Sequence, residues 1–95
     1  MLFVIFYVII EKTVEEFIAM SLELKNRVKM FRVEKNLSQS DLGNLVNVSR
    51  QTISAIEKGQ FNPSAKVAAL ICLALEKKFE EVFYFQTEED KNEQR

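Results

Sequence analysis

The sequence predicts a mainly α-helical protein, and three observations carry that prediction. The 95 residues include only two Gly and one Pro, so few positions interrupt a helix. Leu, Lys, Glu and Ala, all good helix formers, are abundant. Residues 38–59, SQSDLGNLVNVSRQTISAIEKG, read as two short helices joined by a tight turn. A chain of this length makes one domain with a small core, and its apolar fraction of 47% is ordinary for a globular protein.

Composition argues against an enzyme. There is no His, the commonest general base and metal ligand. No paired Cys, G-x-S-x-G or P-loop spacing appears, so neither a metal site nor a cofactor is expected. Cys72 stands alone, which rules out an internal disulfide, and its place on an apolar helical face reads as core. The formal net charge of −1 hides an uneven distribution. Residues 21–62 carry seven Lys or Arg against four acids, whereas an acidic tail (Glu88, Glu89, Asp90, Glu93) offsets them in the total. Local charge governs phosphate contact; the total bears mainly on solubility.

The chain opens with an unbroken apolar run, MLFVIFYVII. A membrane-spanning helix needs about 20 such residues, and Glu11 and Lys12 stop this run well short. It also lacks the basic start and small-residue cleavage site of a secretory signal. The expected location is therefore cytoplasmic. Its β-branched and aromatic content favours a buried strand, and Thr13 and Glu16 have capping-box spacing for a helix starting at Val14. Residues 1–20 thus read as an apolar extension, either an extra strand plus short helix or a segment upstream of a true start at Met20. The main domain is assigned to residues 21–87 and the acidic tail to 88–95.

Leu22–Lys25 alternates with period two and suits a short strand. From Asn26 the pattern turns helical, with Val28, Phe31 and Val33 apolar among charged neighbours, and Asn36 is a plausible stop. Ser38 is the expected cap of the next helix, with Asp41 in its first turn. Leu42, Leu45 and Val46 supply the expected inner face. Gly43 costs on the order of 1 kcal/mol against Ala in mid-helix; close approach of another helix would explain it. Asn47 accepts a left-handed backbone cheaply, as a sharp inter-helix turn requires. Ser49 caps a third helix running to about Lys58 and stopping at Gly59. Pro63 and Ser64 open a fourth, with Val67, Leu70, Ile71 and Ala74 inward. Phe79–Phe83 looks like a last short helical turn, and Val82–Gln86 could instead end as a strand.

At roughly 100° per residue, Ile53 and Ile56 share one side of the third helix. Arg50, Gln51, Ser54, Ala55 and Lys58 fall on the other. Arg suits guanine O6 and N7, Gln suits adenine N6 and N7, and Ala can touch a thymine methyl. Ala55 also keeps the helix thin enough for deep entry into a groove. A solvated face would carry similar residues; the assembly of caps, Gly43, left-handed turn and buried isoleucines separates the two readings, because it makes the second motif helix protrude at a fixed angle.

On these residues, 24–86 resemble the Cro/cI-type (XRE, lambda-repressor-like) helix-turn-helix regulators. The chain is especially similar to compact bacterial and archaeal members with a VSRQTISAIEKG recognition helix and a Y/F-N-P-S loop, here Val48–Gly59 and Phe61–Ser64. The resemblance implies a compact five-helix DNA-binding domain, with a small β-sheet formed by strands flanking the helices. It implies base contacts from Arg50, Gln51, Ser54 and Ala55. Phosphate contacts would come from Ser38, Gln39, Ser49, Thr52, Lys58 and Asn62, with Gln39 also steadying Arg50. It further implies a structural ion pair between Arg32 and Glu57. Two positions depart from the family pattern: Asn47 stands where Gly is usual, and Gly43 where Ala is usual.

Relatives bind as two-fold dimers on palindromic half-sites near 34 Å apart. By resemblance, the expected partners are a double-stranded DNA operator and a second copy of the chain. Leu73, Phe79, Val82, Phe83, Tyr84 and Phe85 are candidates for the dimer interface, or else they close the core. The expected function is a sequence-specific DNA-binding transcriptional regulator, a repressor that occupies its operator and reads the major groove with the helix 50–58; an antitoxin-type or other protein-interaction module that also binds DNA is the alternative.

Overall fold

In a computed structural model, residues 23–86 are described. Five helices and two short strands follow in the order β1 (Glu23–Asn26), α1 (Val28–Glu34), α2 (Gln39–Val46), α3 (Arg50–Glu57), α4 (Ala65–Leu75), α5 (Phe79–Val82) and β2 (Phe83–Gln86). The expectations for the apolar run 1–10, a helix from Val14, a start at Met20, Leu22 and the tail 88–95 lie outside the described residues. The compact unit runs from Leu24 to Tyr84.

Each helix start has a local chemical cause. Ser38 and Asp41 form a capping box: the Asp41 N–H donates to Ser38 Oγ and the Ser38 N–H to Asp41 Oδ2, both at 2.9 Å. Those bonds hold the Asp41 carboxyl below its ordinary pKa. Ser49 Oγ accepts from the Thr52 N–H at 3.0 Å, and Ser64 Oγ from the Val67 N–H at 3.2 Å. At α5 the Glu81 carboxylate accepts from the Lys78 N–H at 2.8 Å.

The stops use left-handed residues. Asn36 (φ 58°) follows α1 and Asn47 (φ 60°) ends α2, as their side chains suggest. Glu76 (φ 56°) ends α4, where no Asn or Gly advertises the turn. Its carboxylate reaches Lys35 Nζ at 2.6 Å, and that cation lowers its pKa. Gly43 is tight against the turn: an added Cβ would meet the Val48 carbonyl oxygen at 2.6 Å. The close approach is thus by the backbone of the turn, not by another helix. The Val48 N–H returns to the Gly43 carbonyl at 2.9 Å.

The core is drawn from every helix: Val28 of α1, Leu42 and Val46 of α2, Ile53 and Ile56 of α3, Ile71 and Leu75 of α4, and Val82 of α5. Burying one such side chain stabilises by about 1.5–3 kcal/mol. Cys72 lies in this core and burial pushes its thiol pKa up, so it packs as a small apolar group. Leu45 departs from expectation and is exposed. Leu42, Gly43 and Val46 define the inner arc of α2, and Leu45 lies roughly 100° around the helix from its centre. Val33 is exposed for the same geometric reason, while Phe31 packs on the core.

The two strands pair as the expected small sheet, β1 beside β2. The Arg27 N–H continues the pairing to the Val82 carbonyl at 2.8 Å. Asn26, expected to begin a helix, ends β1 instead. Among the described residues no helix is long and apolar enough to cross a membrane.

Candidate nucleic-acid interface

The geometry of α3 follows from its two flanks. Ile53 and Ile56 are fully buried, so the opposite flank must face outward. Arg50 and Gln51 are exposed, and Ser54 and Ala55 are half-exposed beside them. The four residues expected to reach bases therefore share one accessible strip. Lys58 and Asn62 are exposed at the far end of the helix and in the loop beyond.

At the near end, Ser49 Oγ and Thr52 Oγ1 lie 2.9 Å apart, joined by one hydrogen bond. A pair of hydroxyls has two hydrogens and this contact uses one, so one remains to donate outward. The N–H groups of Arg50 and Gln51 have no acceptor within the helix, as at any helix start. Together they offer donors of the type that holds a phosphate.

The implied ion pair is present and bidentate. Arg32 Nε donates to Glu57 Oε2 at 2.6 Å and Arg32 Nη2 to Glu57 Oε1 at 3.2 Å. The two side chains are 10% and 3% exposed, so this is a buried pair linking α1 to α3. Arg32 Nη1 also donates to the Leu37 carbonyl at 2.8 Å. Gln39 joins the same network, its Nε2 donating to Glu57 Oε1 at 3.0 Å. That bond commits the Gln39 amide nitrogen to Glu57; a guanidinium only donates, so the expected support of Arg50 would fall to the amide oxygen of Gln39. Ser38 is exposed, with its hydroxyl in the capping box.

Asn26 was not singled out by its sequence context. Its Nδ2 donates to the Ile56 carbonyl of α3 at 2.9 Å, and its Oδ1 accepts from the Val28 N–H at 3.1 Å. The second bond is the ordinary turn made by an Asn two residues before a helix, which is readable locally. The first crosses thirty positions and is not.

The six candidate interface residues divide. Val82, the last residue of α5, and Phe83, the first of β2, are buried in the protein's own core. Phe83 also stacks on Phe79, with ring centroids 5.1 Å apart. Leu73 is 74% and Phe79 55% exposed, and Phe85 is exposed as well. Tyr84 is half-buried under the Arg27 guanidinium, 4.0 Å from its ring centroid. Among the described residues no cluster of three or more His, Cys, Asp or Glu could hold a metal ion.

A family model described as helix-turn-helix matches residues 28–82, more than half of the chain. The chain belongs to the helix-turn-helix (XRE-type) transcriptional regulators. An uncharacterized HTH-type transcriptional regulator of Bacillus subtilis, YgzD, is 46% identical over 65 residues, covering 68% of this chain and 98% of that protein. Another uncharacterized one, MJ0272 of Methanocaldococcus jannaschii, is 44% identical over 66 residues, covering 70% of this chain and all of its own. Among solved structures, the restriction-modification controller protein C.AhdI from Aeromonas hydrophila superposes with a TM-score of 0.55 at 31% identity, covering 58% of this chain and 80% of that one. The exposed strip on α3 is thus the second motif helix of a regulator family, and DNA-binding regulation is the activity the family implies.

Proposed function

We propose that this helix-turn-helix regulator is a cytoplasmic repressor that reads the major groove with α3 as a two-fold dimer on a palindromic operator. One observation carries the reading: Arg50, Gln51, Ser54 and Ala55 share the accessible strip of α3, directly behind which Ile53 and Ile56 are fully buried. Arg50 and Gln51 carry the bidentate base-reading groups. Ser54 adds a hydroxyl, and Ala55 a methyl that leaves room for close approach. Lys58, Asn62, Gln39, Ser38 and the Ser49–Thr52 end of the helix supply phosphate contacts that set register without reading sequence.

One such unit reads only a few base pairs, so a dimer is part of the proposal. The exposed Leu73 and Phe79 support it as apolar surface that a second copy would cover. Tyr84 and Phe85 are the other candidates; Val82 and Phe83 are not, being internal. Half-sites would then lie about 34 Å apart. Repression follows from occupancy: a bound dimer excludes polymerase from the operator.

The test is selection of bound duplexes from a random pool by the full chain. Enrichment of a palindrome with half-sites one helical turn apart is expected. A pool that remains random after repeated rounds at low salt would contradict the reading.

A further inference from the structure

We propose that Asn26 is a positioning residue that, beside the bonds to Glu57, sets the tilt of α3 through its backbone, and that sequence discrimination depends on its side-chain amide; the inference rests on the DNA-reading role proposed above for α3. The last carbonyls of a helix have no partner inside it. In α3 the following chain meets three of them: the Lys58 N–H bonds Ser54 at 3.1 Å, Gln60 bonds Ala55 at 2.9 Å, and Gly59 bonds Ile56 at 3.0 Å. All three are local and travel with the helix. The Ile56 carbonyl takes a second bond, from Asn26 Nδ2, and that one comes from another element.

The same side chain serves α1. Arg27, at the cap position of α1, makes no side-chain cap bond, and Asn26 Oδ1 takes the Val28 N–H in its place. One carboxamide therefore joins the start of α1 to the end of α3. It needs a donor and an acceptor on a short stem. Asp keeps the acceptor and loses the donor; Leu has a similar shape and neither. The position of Asn26 is itself held, because its neighbour Arg27 bonds the Val82 carbonyl through its N–H and the Glu81 carbonyl through Nη1 at 3.2 Å.

The consequence for reading is geometric. Apolar packing of Ile53 and Ile56 is non-directional: it sets how deep α3 sits but resists tilt weakly. The turn at Asn47 and the Ser49 cap hold one end. At the other, Arg32 and Gln39 hold the Glu57 side chain, and Asn26 adds a directional restraint on the helix backbone itself. A helix of eight residues is about 12 Å long, so a tilt of about 10° moves its end about 2 Å, against a tolerance of about 0.5 Å for a productive contact.

The experiment uses the full chain, the selected operator and a random-sequence duplex at one salt concentration, with parent, Asn26→Leu and Asn26→Asp compared. The ratio of operator to random-duplex affinity is expected to fall about tenfold in both variants, the size of one lost base contact. Affinity of Asn26→Leu for the random duplex is expected to stay near that of the parent. In the parent, NMR is expected to detect a coupling through the hydrogen bond from Asn26 Nδ2 to the Ile56 carbonyl. Asn26→Asp retains the acceptor for Val28, so if capping α1 were the residue's only role, this variant would discriminate like the parent. That result, or absence of the coupling, overturns the proposal, and both readouts stand if Asn26→Leu fails to fold. A parent that binds all duplexes equally overturns the DNA-reading role itself and this proposal with it; operator preference that survives intact in Asn26→Asp overturns this proposal alone.

Discussion

The motif helix α3 and the C-terminal stretch 79–86 are both short, and both end next to the core, yet they distribute apolar residues in opposite ways. In α3 apolar groups point in (Ile53, Ile56) and polar groups point out (Arg50, Gln51). In FEEVFYFQ, Val82 and Phe83 point in, while Phe79 and Phe85 remain exposed. A polar outer face suits a charged, hydrogen-bonding partner such as DNA; an apolar outer face suits another protein surface. On the function proposed above, the two regions would meet different partners, although Glu80 and Glu81 are also exposed in the second.

The contrast is sharpened first among the candidate interface residues, with Phe83 at the start of β2 and Leu73 on α4. Phe83→Ala is expected to cost about 3–5 kcal/mol of stability, as truncation of a buried aromatic does. Leu73→Ser, on the exposed side, is expected to leave chemical denaturation almost unchanged but to shift the protein toward monomer in sedimentation. Similar stability losses in the two variants would erase the proposed division of that surface.

A comparable effect is expected from the network behind α3. Removing one partner of a buried ion pair typically costs about 3–5 kcal/mol. Glu57→Ala strands Arg32 and releases Gln39, whereas Glu34 is exposed and Glu34→Ala should change stability by no more than about 0.5 kcal/mol. Equal melting shifts would show that Glu57 is only a solvated acid on an exposed helix.

The turn joining the motif helices gives a smaller effect. Asn47 holds φ 60°, which a β-branched residue adopts at a cost of about 1–2 kcal/mol. Asn47→Val is therefore expected to lower the melting temperature, and Asn47→Gly to match or exceed the parent. Smallest is the Asp41 cap. Its folded-state pKa is lowered, so its contribution is present above the ordinary carboxylate pKa and is lost as pH falls through the folded value. Asp41→Asn should melt below the parent at neutral pH, with the gap closing in acid. A gap that persists at pH 2–3 would mean that charge is not the cause.

These comparisons also mark what was legible in the sequence. The caps Ser38, Ser49 and Ser64, the left-handed Asn47 and the inward Ile53 and Ile56 were all readable, because each depends on neighbours within four residues. Leu45 was misread since three apolar residues on α2 span more than one face, and only the position of α4 decides which arc is inner. Glu76 gave no turn signal because neither Gly nor Asn stands there, and its side-chain partner, Lys35, is forty-one residues away. Asn26 and the Gln39–Glu57 bond were missed for the same reason: their partners are distant in sequence and belong to side chains or carbonyls that only the fold brings near. In FEEVFYFQ, composition announced apolar contact without saying whether it was internal.

The central claim is that Arg50 reads a base while Lys58 meets only phosphate. Titrating Arg50→Ala and Lys58→Ala against the selected operator and its single-base variants, over a range of salt, tests it most directly. The expected result is that Arg50→Ala loses about 1–3 kcal/mol and relaxes preference at one base step, whereas Lys58→Ala weakens every duplex alike and lowers the salt slope by about one. Uniform weakening of all duplexes by both variants, with base preferences intact, would contradict it.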